Sequence, residues 1–354
     1  MAKHESIEQR IEDGQMVSEI DGWWEVVTKE KQPDGTDQTV VTRVNKHSTK
    51  VRPLPTEVDL SLLTRQVPHA VIRPTKRQKP TRDGELLIGL GDIHFPFEDQ
   101  RALGLAHLAI RELFPDTVVC LGDNQDLAMF SRFERRQDWI GSTQEGLDRE
   151  HAMWAQILAD TREARLLRVQ GNHDIRLERE LRNVNAELLG LRRANAQTEL
   201  GVLTLGYLLR LEELGVEQLD GYPNAEYWVN DQLKIMHGRV TSPTGKASHV
   251  NVNKEDVSTL SGHDHSMSIA RRTIPTRDGS REIFAFNAGT LATIDGTTLP
   301  SQRLSTTERG NQVARHHNWQ QGVAVVFHDT DTARPYWLPI DQNGIDIFGK
   351  VYSS

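Results

Sequence analysis

Five short blocks of the chain put cation-binding or proton-moving side chains directly behind apolar runs. Asp92 and His94 follow the run at 86–90, and Asp123 and Asp126 follow the run at 117–121. Asn172, His173 and Asp174 come after 166–169, His237 after 233–236, and His263 and His265 after 259–261. Together these residues can coordinate a cation through nitrogen and oxygen, and any member left uncoordinated can do acid–base work. One Cys in 354 residues rules out a thiolate cage and an intramolecular disulfide, whereas 14 His supply nitrogen ligands freely. A single Asp, Asn or His at a strand end is ordinarily a turn or packing residue, since Asp and Asn suit turns. Five such ends in one chain are not explained that way. Gly91, Gly122, Gly171 and Gly262 precede four of the blocks, and are expected to turn the backbone sharply so that the next side chain points into a crevice.

Blocks so placed need strands to carry them. Short apolar runs at 86–90, 117–121 and 166–169 alternate with helical stretches. In the first stretch Leu103, Ala106, His107, Ile110 and Leu113 share a face. In the second, opened by a capping-box pattern from Ser142 to Glu145, Leu147, His151, Trp154, Ile157 and Leu158 do so. A further helix is predicted over 175–189. This β-α-β-α-β order predicts a parallel sheet with helical crossovers, whose chemistry collects at the carboxyl ends of the strands. Beyond about residue 226 the pattern turns strand-rich, at 227–229, 233–236, 283–286 and 323–327.

Hydrophobic content of 37% and charged content of 26% describe a globular chain, and the length suggests about two domains. Three parts are predicted: a β-hairpin extension over 1–50, a Pro-rich basic linker over 51–84, and a main domain over 85–354. The hairpin rests on β-formers at 23–28 and 39–44 around Pro33, Asp34 and Gly35, with Trp23 and Trp24 read as packing residues. The linker holds five of the 14 prolines and ends in Arg73, Lys76, Arg77, Lys79 and Arg82. Residues 1–84 are nearly neutral in sum, so the net charge of −8 belongs to the main domain. No apolar stretch reaches membrane-spanning length and the N-terminus lacks a signal-peptide core, so no membrane partner and a cytoplasmic location are expected.

The ordered set Asp-x-His, Gly-Asp-x-x-Asp, Gly-Asn-His-Asp, a later His and Gly-His-x-His resembles the calcineurin-like metallophosphoesterase superfamily. The resemblance spans Asp92 to His265 and leaves out residues 1–84; the long interval before Gly171 suggests an insertion over roughly 128–146. The block from Asn318 to Val323 is similar to phage-encoded members. The resemblance implies an α/β fold, a four-layer α-β-β-α sandwich, holding two divalent metal ions about 3.5–4 Å apart. Asp92, His94 and His265 would hold one ion; Asp123 would bridge to the second, completed by Asn172, His237 and His263. Mn²⁺ is the first expectation for this oxygen and imidazole set, with Fe or Zn²⁺ as alternatives.

The implied activity is phosphoester hydrolysis by in-line attack of a hydroxide bridging the metals. His173 resembles the family's leaving-group acid, oriented by Asp126, with Asp174 as the competing orienter or a helix cap. Arg132 is the expected contact to substrate phosphate; Arg271, Arg272 and His249 are read as surface or structural residues. The expected partner is a phosphoester substrate. A phosphodiesterase or nuclease acting on nucleic acid or nucleotides is favoured, motivated by the insertion, its arginines and the basic linker, although an acidic main domain disfavours an extensive polyanion groove. The alternatives are a phosphomonoesterase like the Ser/Thr protein phosphatases, which carry Arg-Gly where Leu127 and Ala128 stand, and a non-catalytic metal-binding scaffold. An intact His173 and Asp126 speak against the scaffold.

Overall fold

The computed structural model describes strand residues 18–20, 23–31 and 37–45, and residues 79–353 except 133–136, 162, 197–199, 243, 278, 296–298, 300–304, 307–311 and 314–317. The chain divides into two compact units, Met1–Arg77 and Gln78–Ser354. In the first, β1 (Ser18–Ile20), β2 (Trp23–Lys31) and β3 (Asp37–Asn45) form an antiparallel sheet in that order. The expected hairpin is the β2–β3 pair, with Val27 opposite Val41. The side chains of Trp23 and Trp24, and the predicted linker as far as residue 78 with Arg73, Lys76 and Arg77, lie outside the described residues.

The second unit is a mixed α/β structure with two mixed sheets. Strands β4 (Glu85–Leu90), β5 (Thr117–Cys120), β6 (Arg165–Val169) and β7 (Val216–Leu219) run parallel to one another. Their crossovers include α1 (Gln100–Leu113), α2 (Ser142–Thr161), α3 (Arg176–Asn185) and α4 (Leu205–Leu208). The second sheet has the order β11-β12-β10-β9-β8, built from β8 (Glu226–Asn230), β9 (Leu233–Met236), β10 (Ser258–Ser261), β11 (Met267–Thr276) and β12 (Gly279–Ala288). The short helix α5 (Ala247–Asn251) packs against β11 and β12. Strands β13 (Ser305–Thr306) and β14 (Gln312–Val313) form a small ribbon. The chain then returns through β15 (Gly322–His328), β16 (Ala333–Asp341), β17 (Gly344–Ile347) and β18 (Lys350–Tyr352), extending the first sheet from β4.

Alternation along the parallel strands decides the layering. Leu86, Ile88 and Leu90 of β4, with Val118 and Cys120 of β5, face the apolar sides of α1 and α2, including Ala106, Ile110, Trp154 and Ile157. Leu87, Val119, Leu167 and Val169 point the opposite way and pack on Ile235, Leu260, Phe284 and Phe286 of the second sheet. Helix α1 is fixed at both ends: Asp99 accepts from the Arg101 and Ala102 amides at 3.0 Å, and Phe114 ends it with left-handed φ of 52°. No helix among the described residues is long and apolar enough to cross a membrane.

Candidate metal centre

The carboxyl ends of β4, β5 and β6 from one sheet and of β9 and β10 from the other open on one edge, and their following loops converge there. Two groups have ligand atoms all within 4.8 Å of one another: Asp92, His94 and His265, and Asp123, His237 and His263. A third such group, His94, Asp126 and His173, adjoins the first. Within the first group His94 Nε2 lies 3.1 Å from His265 Nε2, which is 3.3 Å from Asp92 Oδ1. Within the second, His237 Nε2 lies 3.1 Å from His263 Nδ1, 3.4 Å from Asp123 Oδ2 and 3.1 Å from Asn172 Oδ1. Asp92, His94, Asp123, His237 and His265 are buried; Asn172 and His263 are half-buried.

This donor set fits a divalent cation of borderline hardness. Oxygen and imidazole ligands converge, and ring nitrogens face one another in buried surroundings where each pair needs a proton or a cation between them. His265 Nδ1 also has no hydrogen-bond partner. His237 donates from Nδ1 to the Leu121 carbonyl at 2.8 Å, which turns Nε2 toward the cluster. Burial lowers the pKa of His237, but Asp123 and Asp92 outweigh it and push the group up to about 9. Burial and then the His237 charge push His263 down to about 4. Burial raises Asp92 and Asp123, yet the neighbouring imidazoles hold both below the usual carboxylate range.

The backbone is unusual at these positions. Asp92, His94, Asp123, His263 and His265 have φ between 44° and 74°, the left-handed region that L-residues avoid. They are half of the ten non-glycine residues with positive φ among those described. Such conformations persist only where the surroundings impose them, and they concentrate at functional sites. Of the four glycines only Gly122 has positive φ, and Gly91 instead lies where an added Cβ would meet the Gly289 carbonyl at 2.5 Å; the expectation is likewise corrected at Gly262 and Gly171. Neither has positive φ; instead an added Cβ would lie 2.5 Å from Asp92 Oδ2 and 2.2 Å from Asp123 Oδ1 respectively. Their role is to let backbone approach a candidate ligand.

Asp126 joins the metal groups to His173. Its Oδ2 lies 3.0 Å from His94 Nδ1 and 3.2 Å from His173 Nδ1. Burial raises the Asp126 carboxyl, but His173 and His94 more than offset this and hold it ionised. An ionised carboxylate only accepts, so both imidazoles carry a proton on Nδ1 and, when neutral, present a lone pair at Nε2. His173 is half-buried, its Nε2 is 3.9 Å from Asp123 Oδ2, and its ring meets that of His94 edge-on at 4.6 Å.

Asp174 neither orients His173 nor caps the next helix. Its oxygens accept from the amides of Asp123 at 2.9 Å, Gly171 at 2.8 Å and Gln125 at 3.1 Å, and from Arg168 at 2.8 Å. Arg168 also binds Glu150 at 2.7 Å, with no exposure at any of the three side chains. Glu150 in turn accepts from Asn124, Gln125 and Trp154. This buried ionic network holds the Asp123 and Gly171 loops in place and was not anticipated from the sequence.

The remaining candidates divide clearly. Arg132 is exposed. Arg271 pairs with Glu282, Arg272 bonds to the Glu255 carbonyl, and His249 is exposed. Two residues missed in the sequence touch the site. Arg176, three residues after His173, contacts both His173 and Asp126. The half-buried Trp319 ring stands edge-on to His265 at 4.2 Å. His316 and His317 lie outside the described residues.

No family model matches the sequence. Gene 54 protein of Mycobacterium phage L5 is 20% identical over 269 residues, 75% of this chain and 98% of that protein. Vacuolar Protein Sorting 29 from Cryptosporidium parvum is similar with a TM-score of 0.32 and 11% identity, over 77% of this chain and 100% of that one. Yfce, a phosphoesterase from E. coli, is similar with a TM-score of 0.30 and 15% identity, over 70% of this chain and 90% of that one.

Proposed function

We propose that the chain is a metal-dependent phosphoesterase, and specifically a phosphodiesterase or nuclease acting on nucleic acid or nucleotides. One observation carries this reading: two oxygen–imidazole donor groups stand beside a histidine that a buried carboxylate orients. Asp92, His94 and His265 would hold one divalent ion, and Asp123, Asn172, His237 and His263 a second, with Mn²⁺ preferred over Fe or Zn²⁺. Such ions supply charge neutralisation at phosphoryl oxygens and acidify water. His94 and His237 present Nε2 because Asp126 and the Leu121 carbonyl occupy Nδ1. Asp126 fixes the His173 ring so that Nε2 turns toward the reacting phosphate. Once protonated at Nε2 as well, His173 can there give that proton to the leaving oxygen, an effect typically of about 10²–10⁴-fold.

The four-layer sandwich belongs to the same reading, with α5 supplying the outer layer over the second sheet. Arg132 remains a proposed phosphate contact on the segment after Asp126. A diester substrate is supported by Leu127, which is buried where an arginine would stand in a monoesterase of the Ser/Thr phosphatase kind. The test is hydrolysis after Mn²⁺ loading, comparing bis-p-nitrophenyl phosphate, p-nitrophenyl phosphate and linear DNA. Diester and DNA turnover is expected. Preference for the monoester overturns the diesterase reading, and metal binding without turnover of any of the three favours the scaffold.

A further inference from the structure

Arg176 opens α3 and lies one helical turn beyond His173. Its Nη1 donates to the main-chain oxygen of Asp126 at 2.7 Å and lies 3.3 Å from Asp126 Oδ1. Its Nη2 donates to His173 Nε2 at 2.9 Å. The side chain is only 13% exposed, so these are not loose surface contacts. A guanidinium carries five N–H groups and no acceptor. Three are engaged here, which leaves two.

The nitrogen that Arg176 covers is the one His173 turns away from Asp126. With its Nδ1 proton directed to Asp126, His173 has only Nε2 to offer a ligand, and the arginine sits on it. An imidazole lone pair is a modest acceptor for a guanidinium. An anionic oxygen pair is a better one, because charge assistance and fork geometry then act together. The Nη1 contacts to Asp126 tether one side of the guanidinium while Nη2 exchanges its acceptor. Arg176 also lies in the first turn of a ten-residue helix, where the backbone dipole favours an anion.

We propose that Arg176 is a phosphate-binding residue that latches His173. In the free protein its guanidinium occupies His173 Nε2. In the complex it turns to a non-bridging phosphoryl oxygen and uncovers Nε2, which can then be protonated from solvent and give that proton to the leaving oxygen. The movement of Arg176 itself changes only hydrogen bonds. The inference rests on the phosphoesterase reading for the identity of the anion, a phosphoryl group.

Orthophosphate binding to the full Mn²⁺-loaded chain tests this by calorimetry, alongside steady-state kinetics on bis-p-nitrophenyl phosphate. Arg176→Ala is expected to weaken phosphate binding by about tenfold to a hundredfold and to raise KM by a similar factor. Arg176→Lys should recover part of the loss as a point charge, and Arg176→Gln, which keeps N–H donors without charge, should not. Arg182→Ala removes the same charge from the same helix but from an exposed pair with Glu178, and should shift binding by less than about twofold. In ¹⁵N spectra of the histidines, Arg176→Ala or orthophosphate should shift the His173 Nε2 signal in the same direction. Wild-type protein that binds no orthophosphate, or Arg176 variants that melt normally and bind it as wild type does, overturn the proposal. Phosphate bound through Arg176 without turnover of any ester leaves the latch standing and removes the enzymatic reading. Ester turnover with KM unmoved by Arg176→Ala does the reverse.

Discussion

Nδ1 of His94 lies 3.0 Å from Oδ2 of Asp126, with both side chains buried. The carboxylate therefore sets the tautomer of a candidate metal ligand as well as that of His173. Asp126→Asn keeps the size but removes the charge that holds a proton on both Nδ1 atoms. The expected outcome is a loss of about tenfold to a hundredfold in metal affinity, in addition to lost turnover. Metal titration of the purified variant decides this, and an affinity equal to wild type would restrict Asp126 to His173 alone.

His173→Ala should behave differently. The ring donates to Asp126 and accepts from Arg176, and it belongs to neither of the two main donor groups. Metal content should stay at the wild-type value while turnover falls by about 10²–10⁴-fold. The fall should be smaller for p-nitrophenolate, which leaves without help, than for an alkoxide. Loss of metal from this variant would instead make His173 a ligand.

Gly262 can be tested against a second glycine. An alanine at Gly262 would put its Cβ 3.2 Å from the Leu121 carbonyl, which accepts from His237, and 2.5 Å from Asp92 Oδ2, which cannot move without disturbing the first donor group. Gly262→Ala should lose metal at that group with secondary structure kept. Gly104 lies in α1 with nothing within 4 Å of an added Cβ. Gly104→Ala should raise stability by about 0.5–1 kcal/mol. Metal titration and urea unfolding of the pair provide the contrast, and an intact metal site in Gly262→Ala would refute the close-approach role.

Arg168 is fully buried between Glu150 and Asp174. Arg168→Met fills similar space but leaves two carboxylates without their cation. A buried pair broken on one side costs about 3–5 kcal/mol. The Asp123 and Gly171 amides lean on Asp174, so metal affinity should weaken together with stability. A urea midpoint that moves by less than the equivalent of about 1 kcal/mol would mean that the network is dispensable.

The strands β4, β5 and β6 under the site were legible because each is a short apolar run closed by a residue type that chemistry, not packing, explains; β10, Ser-Thr-Leu-Ser, was legible only through the histidine block that follows it. The ligand candidates were legible through their types and order. Arg176 was not, since its meaning lies in a direction: it contacts His173 only because α3 begins where it does, at i and i+3. Asp174 was misread for the same reason, as its carboxylate points back to the β5 loop and not along α3. Strand β16 was hidden by Pro335 and Pro339, which argue against a strand interior. It tolerates them because β15 pairs along its length whereas β17 joins only at Ile340 and Asp341, leaving the rest of that edge unpaired among the described residues. Strand β11 was hidden by its exposed polar positions beyond Ala270.

Asp116 ties the start of the main unit together. Its Oδ2 accepts from the Leu86 amide at 2.8 Å, and Lys79 and Arg82 reach the same carboxylate. Burial raises its pKa, but Lys79, the Leu86 amide and Arg82 outweigh that and hold it below the usual carboxylate value. A group depressed in the folded state contributes stability above its unfolded pKa of about 4, and loses it as pH falls through the folded value. Asp116→Asn should therefore cost about 1 kcal/mol at pH 7. The gap to wild type should narrow below about pH 4, because wild type then loses the same contribution. Urea unfolding of both proteins between pH 7 and pH 3 measures it. A gap as wide at pH 3 as at pH 7 would show that the Asn change acts through packing and not through the charge.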